Sequence, residues 1–207
     1  MHDIDKVMQR TRRYWYEDGL AEIAAGCLFV LIGLLFFFVE SVVPPGPPRA
    51  IASAIGLPAL IVGASWVAGR VVKVIKARFT YLRTGYIAYH RRPEGHRRWI
   101  TVGIGAAMIT LVVLLIATAP ISLAWIPMLD GLIISAFLLY LGHTLGLVRF
   151  YILAFLSILL GAMASLGGLG DTLGSAVYFG GMGVALIASG GLSLWAYLRQ
   201  TQPPVGE

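Results

Sequence analysis

The 207-residue chain is 58% hydrophobic and only 13% charged, with a net charge of +6 and a mean hydropathy of +0.81. Soluble domains carry about 25% charged residues, so this balance excludes an ordinary water-soluble globule and makes lipid the solvent to reason from. Basic residues cluster at the ends of apolar runs, which fits anionic headgroups and argues against a nucleic-acid groove. Cys27 is the single cysteine and lies inside an apolar run, so an intrachain disulfide or a cysteine-based metal site is ruled out.

Residues 1–18 place Ile4, Val7, Met8, Thr11 and Trp15 on one helical face, with Lys6, Gln9, Arg10 and Arg13 mostly opposite. The spacing fits a short amphipathic helix on the membrane surface, with Tyr14, Trp15 and Tyr16 at headgroup depth. A solvated leader is the equally weighted alternative. The apolar run that follows is too long for a cleaved signal sequence and comes after Asp3, Asp5, Glu17 and Asp18. It reads as a retained signal-anchor helix.

About 20 apolar residues cross a hydrocarbon core of about 30 Å at 1.5 Å per residue. On that measure the first span covers 19–43 and is closed by the PPGPP segment at 44–48, because proline lacks a donor and restricts its predecessor. Span two covers 50–72. A long basic stretch, 73–98, then separates it from span three at 99–119. Pro120 and Pro127 flank Trp125 in a short apolar turn that Asp130 closes. The next apolar run, 130–166, is too long for one crossing and has to break near Gly142, His143, Gly146 and Arg149. This yields span four at 130–147 and span five at 149–167. GGLGD at 167–171 forms the next turn, span six covers 172–198, and 199–207 is a polar tail.

The fold class expected is therefore all-α, a polytopic transmembrane bundle of six spans. Six spans put fifteen of the sixteen Lys and Arg residues on the side of the N-terminus, leaving only Arg49 opposite. By the positive-inside rule that side is cytoplasmic, and both termini lie there. In the basic loop, β-branched and aromatic residues on either side of Thr84-Gly85 suggest a small β-hairpin under the membrane.

Between helices in lipid, close backbone approach does much of the associating. Gly19, Gly26 and Gly33 recur every seven residues on span one, as do Gly56 and Gly63 on span two and Gly183 and Gly190 on span six, with Gly180 and Gly191 nearby. These read as packing faces rather than a glycine-lined pore. Asp18-Gly19-Leu20 and Asp130-Gly131-Leu132 share a tripeptide that would fit an inverted repeat, although chance explains so short a match better.

Ionisable residues inside spans are costly and start as functional candidates. Glu22, His143 and Arg149 form the candidate intramembrane polar site. Glu22 either lines a cytoplasm-facing cavity or binds a cation, or else settles at the interface or in a pair with Arg149 or His143, and its shallow depth favours the latter readings. Glu40 reaches external water, the span break leaves His143 in the cytoplasmic turn, and Asp130 and Asp171 cap external helix starts. His90, Glu94 and His96 could ligate a metal, but the flanking arginines oppose a cation, so no metal, cofactor or catalytic residue is assigned. No nucleophile elbow, P-loop, dinucleotide fingerprint or zincin helix occurs. Arg78, Arg83, Arg91, Arg92, Arg97 and Arg98, interleaved with Tyr81 and Tyr86, form a basic-aromatic surface for anionic lipid or a cytosolic partner.

The pattern Tyr14-Trp15-Tyr16 followed by Asp18-Gly19, together with Phe79-Thr80-Tyr81-Leu82-Arg83-Thr84-Gly85-Tyr86, resembles small bacterial integral membrane proteins of uncharacterised activity, which carry proline where this chain has Leu82. The resemblance implies a bacterial plasma (inner) membrane setting and no activity. The function expected is a non-catalytic membrane component whose loop contacts lipid or a partner, alone, with other subunits or as a homo-oligomer. A small transporter or channel around Glu22 is the alternative, and an intramembrane enzyme the third.

Overall fold

The computed structural model describes residues 18–44, 46–75 and 122–200. The leader at 1–17, span three at 99–119, the tail from 201, and the loop hairpin with Arg78, Tyr81, Arg83, Tyr86, Arg91, Arg92, Arg97 and Arg98 lie outside the described residues. Within them the chain is helical and contains no strand. We number the helices α1 (Leu20–Val42), α2 (Pro47–Ile75), α3 (Ile126–Leu145), α4 (Val148–Leu166) and α5 (Asp171–Gln200). Each includes a stretch long and apolar enough to cross a membrane.

Local chemistry sets the helix ends. Gly19, at φ 70°, starts α1 from a left-handed conformation that glycine adopts without a Cβ clash, and the Asp18 carboxylate accepts the Leu20 N–H at 3.2 Å. PPGPP ends α1 as expected, but Pro47 and Pro48 also open α2, earlier than the expected start at 50. The first helical positions need no N–H donor, so proline is at home there. The break in the long apolar run falls at Gly146, whose left-handed backbone (φ 66°) caps α3 through a 2.8 Å bond from its N–H to the Gly142 carbonyl.

Span four requires correction. A 3₁₀ turn at Leu123–Trp125, capped by the Ser122 hydroxyl, leads directly into α3 at Ile126. Asp130 is thus inside the helix rather than at its start, and it does not cap it. The same finding removes the tripeptide repeat, since Asp18 precedes a helix and Asp130 sits within one. Asp171 does open α5, where a carboxylate favours the helix dipole.

The described helices form two glycine-fitted antiparallel pairs. In the α1–α5 pair, a Cβ placed on Gly26 would lie 2.7 Å from the Gly183 carbonyl oxygen, and one on Gly183 would lie 2.7 Å from that of Gly26. Gly19 meets Gly190 and Gly33 meets Gly180 in the same register. In the α3–α4 pair, Gly131 faces the Ser157 carbonyl and Gly161 faces that of Pro127. Leu138, Phe150, Leu153, Met182 and Leu186 fill the apolar seam joining α3 and α4 to α5. α2 packs against α1. Its glycines do not repeat the pattern, because Gly56 meets only the Leu35 side chain at 3.5 Å and Gly63 meets no described atom within 4 Å. The outward surface is apolar, with Phe38, Val62, Phe155 and Leu192 exposed, as expected where the surrounding solvent is lipid.

Candidate functional site

The glycine contacts carry Glu22 between the helices near one end of the bundle. It sits one turn into α1, on the face where Gly19 and Gly26 bring α5 to backbone contact, so its side chain enters the α1–α5 groove and is only 3% exposed. Arg149 comes to the same place from the second position of α4, just past the Gly146 break. Its Nη2 is 2.8 Å from Glu22 Oε1. The other carboxylate oxygen, Oε2, accepts from Ser189 Oγ at 2.9 Å. Arg149 Nη1 donates to Ser193 Oγ, which in turn donates to the Ser189 carbonyl at 2.9 Å. Three helices are thereby joined through one carboxylate, one guanidinium and two hydroxyls. Asp18, just before α1, is also buried.

Each carboxylate oxygen of Glu22 meets a donor in this arrangement. An ionised carboxylate only accepts, a guanidinium only donates, and a hydroxyl does both. Burial of either ion alone would be strongly unfavourable, whereas the pair with its two serines compensates both. Of the three residues expected at an intramembrane polar site, the structure joins Glu22 and Arg149. His143 is set aside, exposed in the last turn of α3 rather than in the turn beyond it, and it makes no ion pair among the described residues. Ser189 and Ser193 escaped the sequence reading. Their signal was two hydroxyls four residues apart, on either side of the Gly190 that faces Gly19.

A second polar chain crosses the α3–α4–α5 seam. Ser157 Oγ donates to the Gly131 carbonyl at 2.9 Å and lies 2.8 Å from the Tyr178 hydroxyl, which is also 3.4 Å from the Asp130 carbonyl. Ser157 and Tyr178 are both fully buried. Tyr178 meets Phe179 edge-on, and Phe179 in turn contacts Phe29 and Phe36 of α1. At the far end of α1, Arg49 pairs with Glu40 at 2.8 Å and donates to the carbonyls of Glu40 and Val43. Arg49 therefore closes the helix terminus, where unsatisfied carbonyls need donors. Glu40, expected simply to reach water, is its partner.

Chemically, the Glu22 junction is a closed ion pair and the Tyr178 chain a neutral hydrogen-bond relay. Among the described residues no three His, Cys, Asp or Glu side chains converge as metal ligands would. No family model, characterised protein or solved structure matches this chain.

Proposed function

We propose that the protein is a non-catalytic component of a bacterial plasma membrane, a six-span bundle whose cytoplasmic basic loop contacts anionic lipid headgroups. The observation that carries this reading is the state of Glu22. Its charge is compensated by Arg149 and its remaining oxygen by Ser189, so the carboxylate fastens helices together. A transport site would instead need that carboxylate to exchange its partners for substrate and water.

The span count is supported by the directions of the described helices. α1 begins, α2 ends, α3 ends, α4 begins and α5 ends at the Glu22 end of the bundle, as the contacts Gly56 to Leu35, Arg149 to Ser193 and Gly26 to Gly183 require. Residues 75 and 122 consequently lie at opposite ends. The apolar run at 99–119 has the composition to carry the chain from one end to the other, which favours a sixth span. The positive-inside rule makes the Glu22 end cytoplasmic. A hairpin about Thr84-Gly85 would then spread the loop arginines along the headgroups.

Each basic residue near an anionic surface contributes about 1 kcal/mol. Arg91, Arg92, Arg97 and Arg98 all changed to Gln should therefore weaken binding of nanodisc-held protein to anionic vesicles by roughly several hundredfold, with little change at zwitterionic ones. Unchanged binding would remove the loop–lipid assignment. Ion or solute uptake by proteoliposomes that vanishes in Glu22→Gln would replace it with transport.

A further inference from the structure

Two exposed residue pairs repeat one geometry. In α2, Trp66 and Arg70 stand four residues apart, with the guanidinium carbon 3.9 Å from the centre of the indole. In α5, Trp195 and Arg199 do the same at 3.8 Å. The spacing explains the stacking, because helical side chains lean toward the N-terminus and the arginine at i+4 folds back over the ring at i. Both pairs lie at the Glu22 end of helices that flank α1, and both tryptophans are more than half exposed.

Stacking uses the face of the guanidinium and leaves its five in-plane N–H donors pointing away from the ring. Neither Arg70 nor Arg199 makes a hydrogen bond or ion pair among the described residues, in contrast to Arg49 and Arg149, which make both. Exposed apolar side chains surround each pair, Val62, Val67 and Val71 on α2 and Leu192 and Leu198 on α5. Each site therefore presents an acyl-compatible wall, an indole suited to headgroup depth, and a fork of cationic donors that meet no described acceptor.

We infer that Trp66–Arg70 and Trp195–Arg199 are two binding sites for the headgroup phosphate of anionic phospholipids at the boundary of the bundle. The inference rests on the membrane reading but on different residues from the basic loop. Nearby helix C-termini attract the arginines and do not themselves attract phosphate, so the guanidinium supplies the recognition. Lysine would keep the charge and lose the flat stacked fork.

The test uses full-length protein with Trp15, Trp99 and Trp125 changed to Phe, leaving Trp66 and Trp195 as the fluorophores. It is reconstituted in phosphatidylcholine vesicles containing phosphatidylglycerol, with brominated acyl chains on one lipid or the other. Quenching should favour the anionic lipid by about fivefold per site, the factor corresponding to about 1 kcal/mol per arginine. Arg70→Gln with Arg199→Gln should bring the ratio near one, and Lys at both positions should leave it intermediate. Equal quenching by both lipids, or a ratio indifferent to the Gln changes, would overturn the proposal, as would loss of the preference in millimolar inorganic phosphate. Should the three Phe changes prevent folding, native mass spectrometry of otherwise unaltered Arg70→Gln, Arg199→Gln protein should count fewer retained anionic lipids, and an unchanged count is equally fatal. Gln at Arg91, Arg92, Arg97 and Arg98 should leave the quenching ratio intact, which separates failure here from failure of the loop assignment.

Discussion

Replacing Gly26 by alanine tests the α1–α5 contact on which the buried junction depends. The new methyl would lie 2.7 Å from the Gly183 carbonyl oxygen, 2.7 Å from Ile187 Cγ1 and 2.8 Å from the Ile187 nitrogen. Two of these three atoms are backbone, so no rotamer change relieves the overlap. Carbon contacts settle near 3.5 Å or more, so α5 has to move away by roughly 0.7 Å at this point. A gap of that size forfeits a quarter to a half of each local dispersion contact, and overpacking of this kind costs about 1–3 kcal/mol. Alanine regains about 0.5–1 kcal/mol of helix propensity, leaving a net loss of roughly 1 kcal/mol at mid-range and about 2.5 kcal/mol at most. Gly191, one residue along from Gly190 in α5, is the control, since a Cβ there meets no described atom within 4 Å. Gly191→Ala should be neutral or slightly stabilising. Unfolding of the full-length protein in mild detergent, followed against temperature and against added SDS, would measure both variants. Equal stability of Gly26→Ala and Gly191→Ala would refute the contact and, with it, the route by which Glu22 is buried.

Two further outcomes follow from the same geometry. Arg149→Met strands the Glu22 carboxylate against Ser189 alone and should destabilise by about 3 kcal/mol or more, as for other broken buried pairs; adding Glu22→Gln should recover a substantial part, and a double variant no better than Arg149→Met would show the pair to be uncoupled. In a Cys27→Ser background, single cysteines at Gly46 and at Gly85 should react with membrane-impermeant thiol reagents from opposite compartments. Labelling of both from the same side would overturn the threading proposed here.

Periodicity and punctuation made the helices legible before any coordinates. The α3–α4 break was visible in Gly142, His143, Gly146 and Arg149, because a run that long exceeds one bilayer. It failed at the start of α3, where Asp130 looked like a cap. An acidic residue after proline and tryptophan is the usual signature of a helix start, and only the path of the backbone reveals that the helix had begun four residues earlier. The glycine spacing pointed correctly to the α1–α5 face and wrongly to a matching one on α2. A repeat of small residues permits close approach, but whether a second helix arrives depends on the rest of the bundle. For Glu22, depth in the span narrowed the partners to Arg149 or His143 without choosing between them.

Taken alone, the order of residues pointed to lipid as the solvent and determined the helical class and, for the described helices, their approximate limits. These follow from composition and from distances counted along one chain, and lipid leaves the backbone few other ways to satisfy its hydrogen bonds. The tertiary structure decided which polar groups meet. Arg149 rather than His143 closes on Glu22 because α4 approaches the α1–α5 groove at that level, and Ser189 and Ser193 acquire their roles only when Gly190 seats against Gly19. Partners brought together from residues 22, 149, 189 and 193 are set by the register between helices, and that register is a property of packed surfaces rather than of any single segment.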